Sequence, residues 1–216
     1  MALASWIALT SIVAAGAFEG RDERLAETVR GWTAPTEGLA RAVSGVGGVP
    51  VILAVLAAAV VLCLAAGAPR RALALGLAVG LTEAAVHLTK VVVARPRPPA
   101  GPLSDIGGYS YPSAHAAVSV ALYGLLLGFA LVALGPRGRW LAGAAGVAVL
   151  VAIGASRVYL GAHHPLDVAG GWLTGAMSAT AACAVAARIV PNRLRTIGAD
   201  GPSERVRGGN RPVGDA

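Results

Sequence analysis

Residues 156–167 read Ser156-Arg157-Val158-Tyr159-Leu160-Gly161-Ala162-His163-His164-Pro165-Leu166-Asp167, with an apolar run on either side. A hydroxyl, a guanidinium, an imidazole and a carboxylate thus fall within one short stretch. His163 and Asp167 are four apart, so a helix through both would put them on one face. A carboxylate beside an imidazole fixes its tautomer and raises its basicity. Arg157 offers a planar fork that matches phosphate oxygens. Nucleophile, orienting acid and anion clamp would then sit together. The competing reading is an interfacial loop whose His and Arg face water.

Two further stretches favour the chemical reading. Lys90-Val-Val-Val-Ala-Arg95-Pro-Arg97-Pro98 places a Lys seven residues before an Arg-Pro, and Tyr111-Pro-Ser-Ala-His115 brings a hydroxyl, a turn and a second imidazole together. In order, Lys-x6-Arg-Pro, Pro-Ser-x-His and Ser-Arg-x5-His-x3-Asp resemble the three signature motifs of the type 2 phosphatidic acid phosphatase family. These are membrane lipid phosphatases related to bacterial acid phosphatases and vanadium haloperoxidases. The motifs span residues 90–167, and the surrounding helical pattern extends the resemblance over roughly 1–190. One position departs: Ala114 stands where the family usually has Gly between the Ser and the His.

The resemblance implies roles. His163 would be the nucleophile, forming a phosphohistidine, with Asp167 orienting it. His115 would protonate the leaving oxygen and later activate the water. Lys90, Arg97, Ser113 and Arg157, with the amide of Ala114, would hold the phosphate oxygens. Phosphoryl transfer depends on positioning and charge neutralisation more than on covalent help, and the cations take the place of a metal. No metal or other cofactor is expected. Arg95 and His164 are left spare, His164 as an exposed neighbour in preference to a supporting residue behind the site, and Asp105 reads as a turn residue.

Composition frames this. Of 216 residues 56% are hydrophobic and mean hydropathy is +0.67, beyond a soluble domain and indicative of an integral membrane protein. Abundant Ala and Gly suit close packing of membrane helices. Cys63 and Cys183 lie in apolar runs and read as buried packing residues. No cluster has zinc or calcium spacing. The net charge of +7 does not point to nucleic acid, because the arginines sit in loops and tail rather than in a stripe among aromatics. Lys90 is the sole lysine among 18 basic residues, which suggests that its position requires an ammonium; chance is the alternative.

The expected fold is all-α, a polytopic membrane protein whose core bundle is similar to the acid phosphatase/vanadium haloperoxidase fold. Six transmembrane helices are expected near residues 2–18, 50–67, 72–94, 114–134, 140–155 and 165–187. Residues 19–48, with Leu25, Val29 and Trp32 at near-helical spacing, read as an interfacial amphipathic segment or a solvated loop. Residues 1–190 form the domain, and 191–216, rich in Arg, Gly and Pro, read as a disordered basic cytoplasmic tail. Glu83, His87 and Lys90 share a face, and the first two read as a structural polar pair inside the bundle. Prolines 96, 98 and 99 end the third span, and Ser113 and Pro165 begin the fourth and sixth.

With six spans, Arg70, Arg71, Arg137, Arg139, Arg188, Arg193 and Arg195 share the cytoplasmic side. Arg21, Arg24, Arg30 and Arg41 then fall outside, against the rule. The motifs gather at the outer face, where two helix N-termini favour an anion. The expected protein is a lipid phosphate phosphatase of the cell membrane, acting on the extracytoplasmic side on a substrate whose tail lies in the bilayer. Undecaprenyl diphosphate is slightly favoured over phosphatidylglycerophosphate or phosphatidic acid. A lipid phosphotransferase would use the same residues. An anionic-lipid binding or transport protein would not need His163, Asp167 and His115 together. The sequence leaves the oligomeric state open.

Overall fold

The computed structural model describes residues 2–32 and 36–190. Among these every regular element is a helix: α1 (Ala2–Ala14), α2 (Glu19–Arg30), α3 (Glu37–Val46), α4 (Val49–Ala65), α5 (Pro69–Val93), α6 (Ala114–Val132), α7 (Pro136–Tyr159) and α8 (Pro165–Ile189). The tail at 191–216 lies outside the described residues.

Local chemistry sets the boundaries. Proline opens α5, α7 and α8, where its missing N–H costs nothing. α5 closes on Ala94, whose φ of 50° is left-handed and whose N–H bonds the Lys90 carbonyl at 2.9 Å. Pro96, Pro98 and Pro99 keep the helix from resuming. Ala114, by contrast, is simply the first residue of α6, so Ala replaces the family's Gly there without a positive φ.

The chain is a multi-pass membrane protein. Among the described residues five segments are long and apolar enough to cross a bilayer: Glu37–Ala65, Pro69–Val93, Ala114–Val132, Pro136–Tyr159 and Pro165–Ile189. The expected first span does not stand alone. α1 has 13 residues, about 20 Å against a hydrocarbon core of roughly 30 Å. The chain turns at Gly16 (φ 66°), and α1 and α2 meet at 95°, so a sixth crossing exists only if the pair counts as one broken span. Residues 19–48 hold two helices, α2 and α3. α2 turns Asp22 and Ala26 inward, while Leu25 and Trp32 are exposed.

α8 is the hub. α5 and α6 pack along it, α4 lies on α5, α7 on α6 and α3 on α7. Gly171 lets α6 approach, since a Cβ there would stand 2.6 Å from the Ser113 carbonyl oxygen. α1 lies along α8, and Trp6 Nε1 donates to Thr174 Oγ1 at 2.9 Å. Ile52, Leu75, Val79, Val118 and Leu122 form one apolar cluster, and Ala78, Ala121 and Ala182 a closer-set one. Outward-facing Leu62, Leu88, Val92 and Leu141 are exposed, as lipid-facing side chains are. Cys63 and Cys183 are unpaired and half-buried.

Glu83 and His87 do approach one another (Oε2 to Nε2, 3.5 Å), but they face outward rather than into the bundle. The inner face of α5 is already filled by Ala74, Ala78, Thr82 and Val86, which pack on neighbouring helices.

Two of the helix ends carry arginine caps. Arg70 donates to the Val190 carbonyl (2.7 and 3.0 Å), and Arg139 to those of Leu131 and Leu134 (3.0 and 2.8 Å). These lie at one end of the bundle. At the other, α5 and α7 finish and α6 and α8 begin.

Candidate active site

α6 and α8 start side by side because the Ser113 amide donates to the Asp167 carbonyl at 2.9 Å. Their free N–H groups and positive dipole ends therefore converge. Pro165 at the first position of α8 puts His164 at the N-cap and Asp167 at N3, whose side chain reaches back to the N-cap amide. The Asp167 carboxylate accepts from the His164 amide at 2.9 Å.

His163 reaches Asp167 by a route other than the one the spacing suggested. It lies in the turn before α8, not on a helix face. The amides of Ala162 and His163 donate to the Arg157 carbonyl (3.0 and 3.3 Å), folding the turn back over the end of α7. Gly161 (φ 73°) makes that turn, and Gly101 packs against it so closely that a Cβ at Gly101 would stand 2.6 Å from the Gly161 Cα. His163 Nδ1 then lies 3.5 Å from Asp167 Oδ2, with both side chains buried.

Burial holds the His163 imidazole down to about 4, helped by Arg157 and Lys90, although Asp167 pulls it upward. The ring is neutral at pH 7, as a nucleophile requires. Asp167 is enclosed by donors, with Arg95 Nη1 2.6 Å from its Oδ1.

The cations come from three elements. Arg157, at the last turn of α7, is buried and donates from Nη1 to Ser44 Oγ of α3 at 2.7 Å, while its Nε has no partner among the described residues. Arg97 donates to the carbonyls of Gly107 and Ala162, both at 2.7 Å, joining the 100–112 loop to the His163 turn. Lys90 donates to the carbonyls of Tyr109 and Ser110. Ser113 Oγ is buried and has no hydrogen-bond partner among the described residues. His115, in the first turn of α6, is within electrostatic reach of Arg157, His163 and Arg97, and Lys90 within that of Arg97, Asp167 and Arg157. The structure thus brings Lys90, Arg97, Ser113, Ala114, His115, Arg157, His163 and Asp167 to one end of the bundle. Asp105 is exposed in its turn.

Two residues taken as spare are not. Arg95 is 7% exposed and lies between two carboxylates, Asp167 and Asp22 (Nη2 to Oδ2, 2.8 Å). His164, 5% exposed, lies 2.8 Å from Glu23 Oε2, and Glu23 also pairs with Arg30 at 2.5 Å. Asp22, Glu23 and Ser44 were not visible as site residues. A weak signal existed: Asp22 and Glu23 belong to the one acidic cluster in a chain with only 11 acidic residues.

The PAP2 superfamily sequence model matches residues 71–191. An undecaprenyl-diphosphatase of Sulfolobus acidocaldarius is 44% identical over 68 residues, 31% of this chain and 29% of that protein's length. The fold is similar to that of the first transmembrane PAP2-type phosphatidylglycerolphosphate phosphatase of Bacillus subtilis, with a TM-score of 0.71 at 23% identity, covering 88% of this chain and 98% of that one. It is also similar to LpxE of Aquifex aeolicus, with a TM-score of 0.59 at 21% identity over 74% and 92% of the two chains.

Proposed function

The chain belongs to the PAP2 superfamily of membrane lipid phosphatases, and on that premise we propose that it hydrolyses a lipid phosphomonoester or diphosphate at the extracytoplasmic membrane face, without a metal, through a phosphohistidine at His163. The observation that carries this reading is the convergence of the α6 and α8 N-termini, tied by the Ser113–Asp167 backbone bond, on a buried His163–Asp167 pair beside Arg157.

In the proposed reaction the phosphate sits among Lys90, Arg97, Arg157, Ser113 and the amide of Ala114. With Nδ1 turned to Asp167, His163 attacks phosphorus through Nε2. The P–N bond forms as the ester or anhydride P–O bond breaks, and His115 gives its proton to the leaving oxygen. Asp167 stabilises the developing imidazolium. Water then attacks the phosphohistidine, His115 takes its proton, and the P–N bond breaks to release inorganic phosphate.

Among substrates, undecaprenyl diphosphate is favoured, supported by the name of the Sulfolobus relative over its short matched stretch. The Bacillus structure keeps phosphatidylglycerophosphate as the second reading. Phosphate release from purified lipid phosphates in detergent tests both. Fastest release from undecaprenyl diphosphate is the expected result, and no release from any lipid phosphate would refute the reading.

A further inference from the structure

We propose that Asp22 and Arg95 are positioning residues through which α2, an element outside all three motifs, holds the carboxylate that orients His163. This rests on the reading of His163 as nucleophile and Asp167 as its partner.

A continuous chain of contacts carries the inference. Asp22 Oδ1 accepts from the Leu166 amide in the first turn of α8 at 3.0 Å, and its Oδ2 lies 2.8 Å from Arg95 Nη2. Arg95 Nη1 is 2.6 Å from Asp167 Oδ1. Asp167 Oδ2 is left for the His164 amide and for His163 Nδ1. The side chains of Asp22, Arg95 and Asp167 are 1%, 7% and 0% exposed, so water screens none of these contacts.

Two consequences follow for His163. One is geometric. Asp22 grips both the segment after α5 and the first turn of α8, and Arg95 fixes one oxygen of Asp167, so the other can point only at the histidines. The second is electrostatic. The groups within electrostatic reach of His163 are Asp167 from α8, Arg157 from α7, Lys90 from α5 and His115 from α6. If Arg95 were neutralised by Asp167 alone, the carboxylate would have little charge left to stabilise an imidazolium among those cations. Asp22 shares the guanidinium and leaves Asp167 with its charge. Glu23 does the same at His164, linking it to Arg30.

The test is the NMR titration of the His163 ring in Asp22→Asn, Arg95→Gln and the double variant, with turnover of nitrophenyl phosphate and binding of inorganic orthophosphate measured alongside. Asp22→Asn removes a negative charge and should move the titration to lower pH, and Arg95→Gln should move it up, each by about half a unit or more. The double variant should return towards wild type, and Asp22→Glu, which keeps the charge, should stay near it. Turnover should fall roughly 10-fold or more in Asp22→Asn and in Arg95→Gln, with orthophosphate binding retained. Shifts of one sign, no shift, or loss of phosphate binding in step with turnover would overturn the proposal. If Asp22→Asn does not fold, Arg95→Gln and Asp22→Glu still carry the test. The titration needs no turnover, so it reads the coupling even if the wild-type chain releases no phosphate, a result that would instead refute the reading of the site.

Discussion

The Ser113 amide and the Asp167 carbonyl oxygen are 2.9 Å apart, and this one backbone bond locks the first turns of α6 and α8 together. In the proposed mechanism the phosphate charge falls to two helix ends and to Lys90, Arg97 and Arg157. Phosphatase activity should therefore survive EDTA. Loss on chelation, restored by Mg²⁺, would contradict this division of charge.

Arg95→Ala would leave two buried carboxylates, Asp22 and Asp167, uncompensated. It should destabilise the fold by about 3–5 kcal/mol. Arg41→Ala removes an exposed pair with Glu37 and should cost about 0.5 kcal/mol or less. Thermal unfolding in detergent distinguishes them, and equal small losses would mean that the buried network carries no structural weight.

His163 also links stability to pH. Its folded value, near 4, lies below the usual imidazole value because of burial. Above about pH 6.5 neither the folded nor the unfolded state binds this proton, and nothing is lost. As pH falls towards 4, the unfolded chain takes up a proton that the folded one refuses, so stability drops, by on the order of 3 kcal/mol. His163→Gln lacks that term. Its stability relative to wild type should rise between pH 7 and pH 4.5, and parallel pH profiles would sink the account.

The motifs were legible because their chemistry needs particular residue types at short spacings: Lys90 to Arg97, Ser113 to His115, Arg157 to Asp167. The α8 start was legible from Pro165, whereas α5 and α7 begin at Pro69 and Pro136, ahead of the spans expected from 72 and 140. What was missed depends on contacts between distant parts of the chain. Asp22 meets Leu166 across 144 positions and Arg157 meets Ser44 across 113, and no local period announces either. α2 read as amphipathic from Leu25, Val29 and Trp32, yet the face turned inward is that of Asp22, Ala26 and Val29, with Leu25 and Trp32 exposed, because the site supplies partners for Asp22 and Glu23. The outward face of Glu83 and His87 was likewise set by which side of α5 the other helices cover.

The proposed sidedness can be tested at the two ends of the bundle. Ile106, exposed in the loop between α5 and α6, and Gly135, in the turn between α6 and α7, lie at opposite ends of the bundle. In a background without Cys63 and Cys183, Ile106→Cys should react with an impermeant thiol reagent in intact cells, and Gly135→Cys should not. The reverse pattern would put the site on the cytoplasmic side.

The central claim is that His163 is phosphorylated while His115 moves the protons. General acid–base help is worth roughly 10²–10⁴-fold and matters most for a poor leaving group. His115→Ala should lose most turnover of lipid phosphate, yet still be phosphorylated by nitrophenyl phosphate, whose phenolate leaves unprotonated. Without His115 to activate water, the phosphoenzyme should accumulate. The direct measurement is acid-labile, base-stable phosphate on His163, located by mass spectrometry in His115→Ala quenched during turnover and absent from the His115→Ala/His163→Ala double variant. Phosphate on another residue, or no trapped phosphate with equal losses on both substrates, would contradict the account.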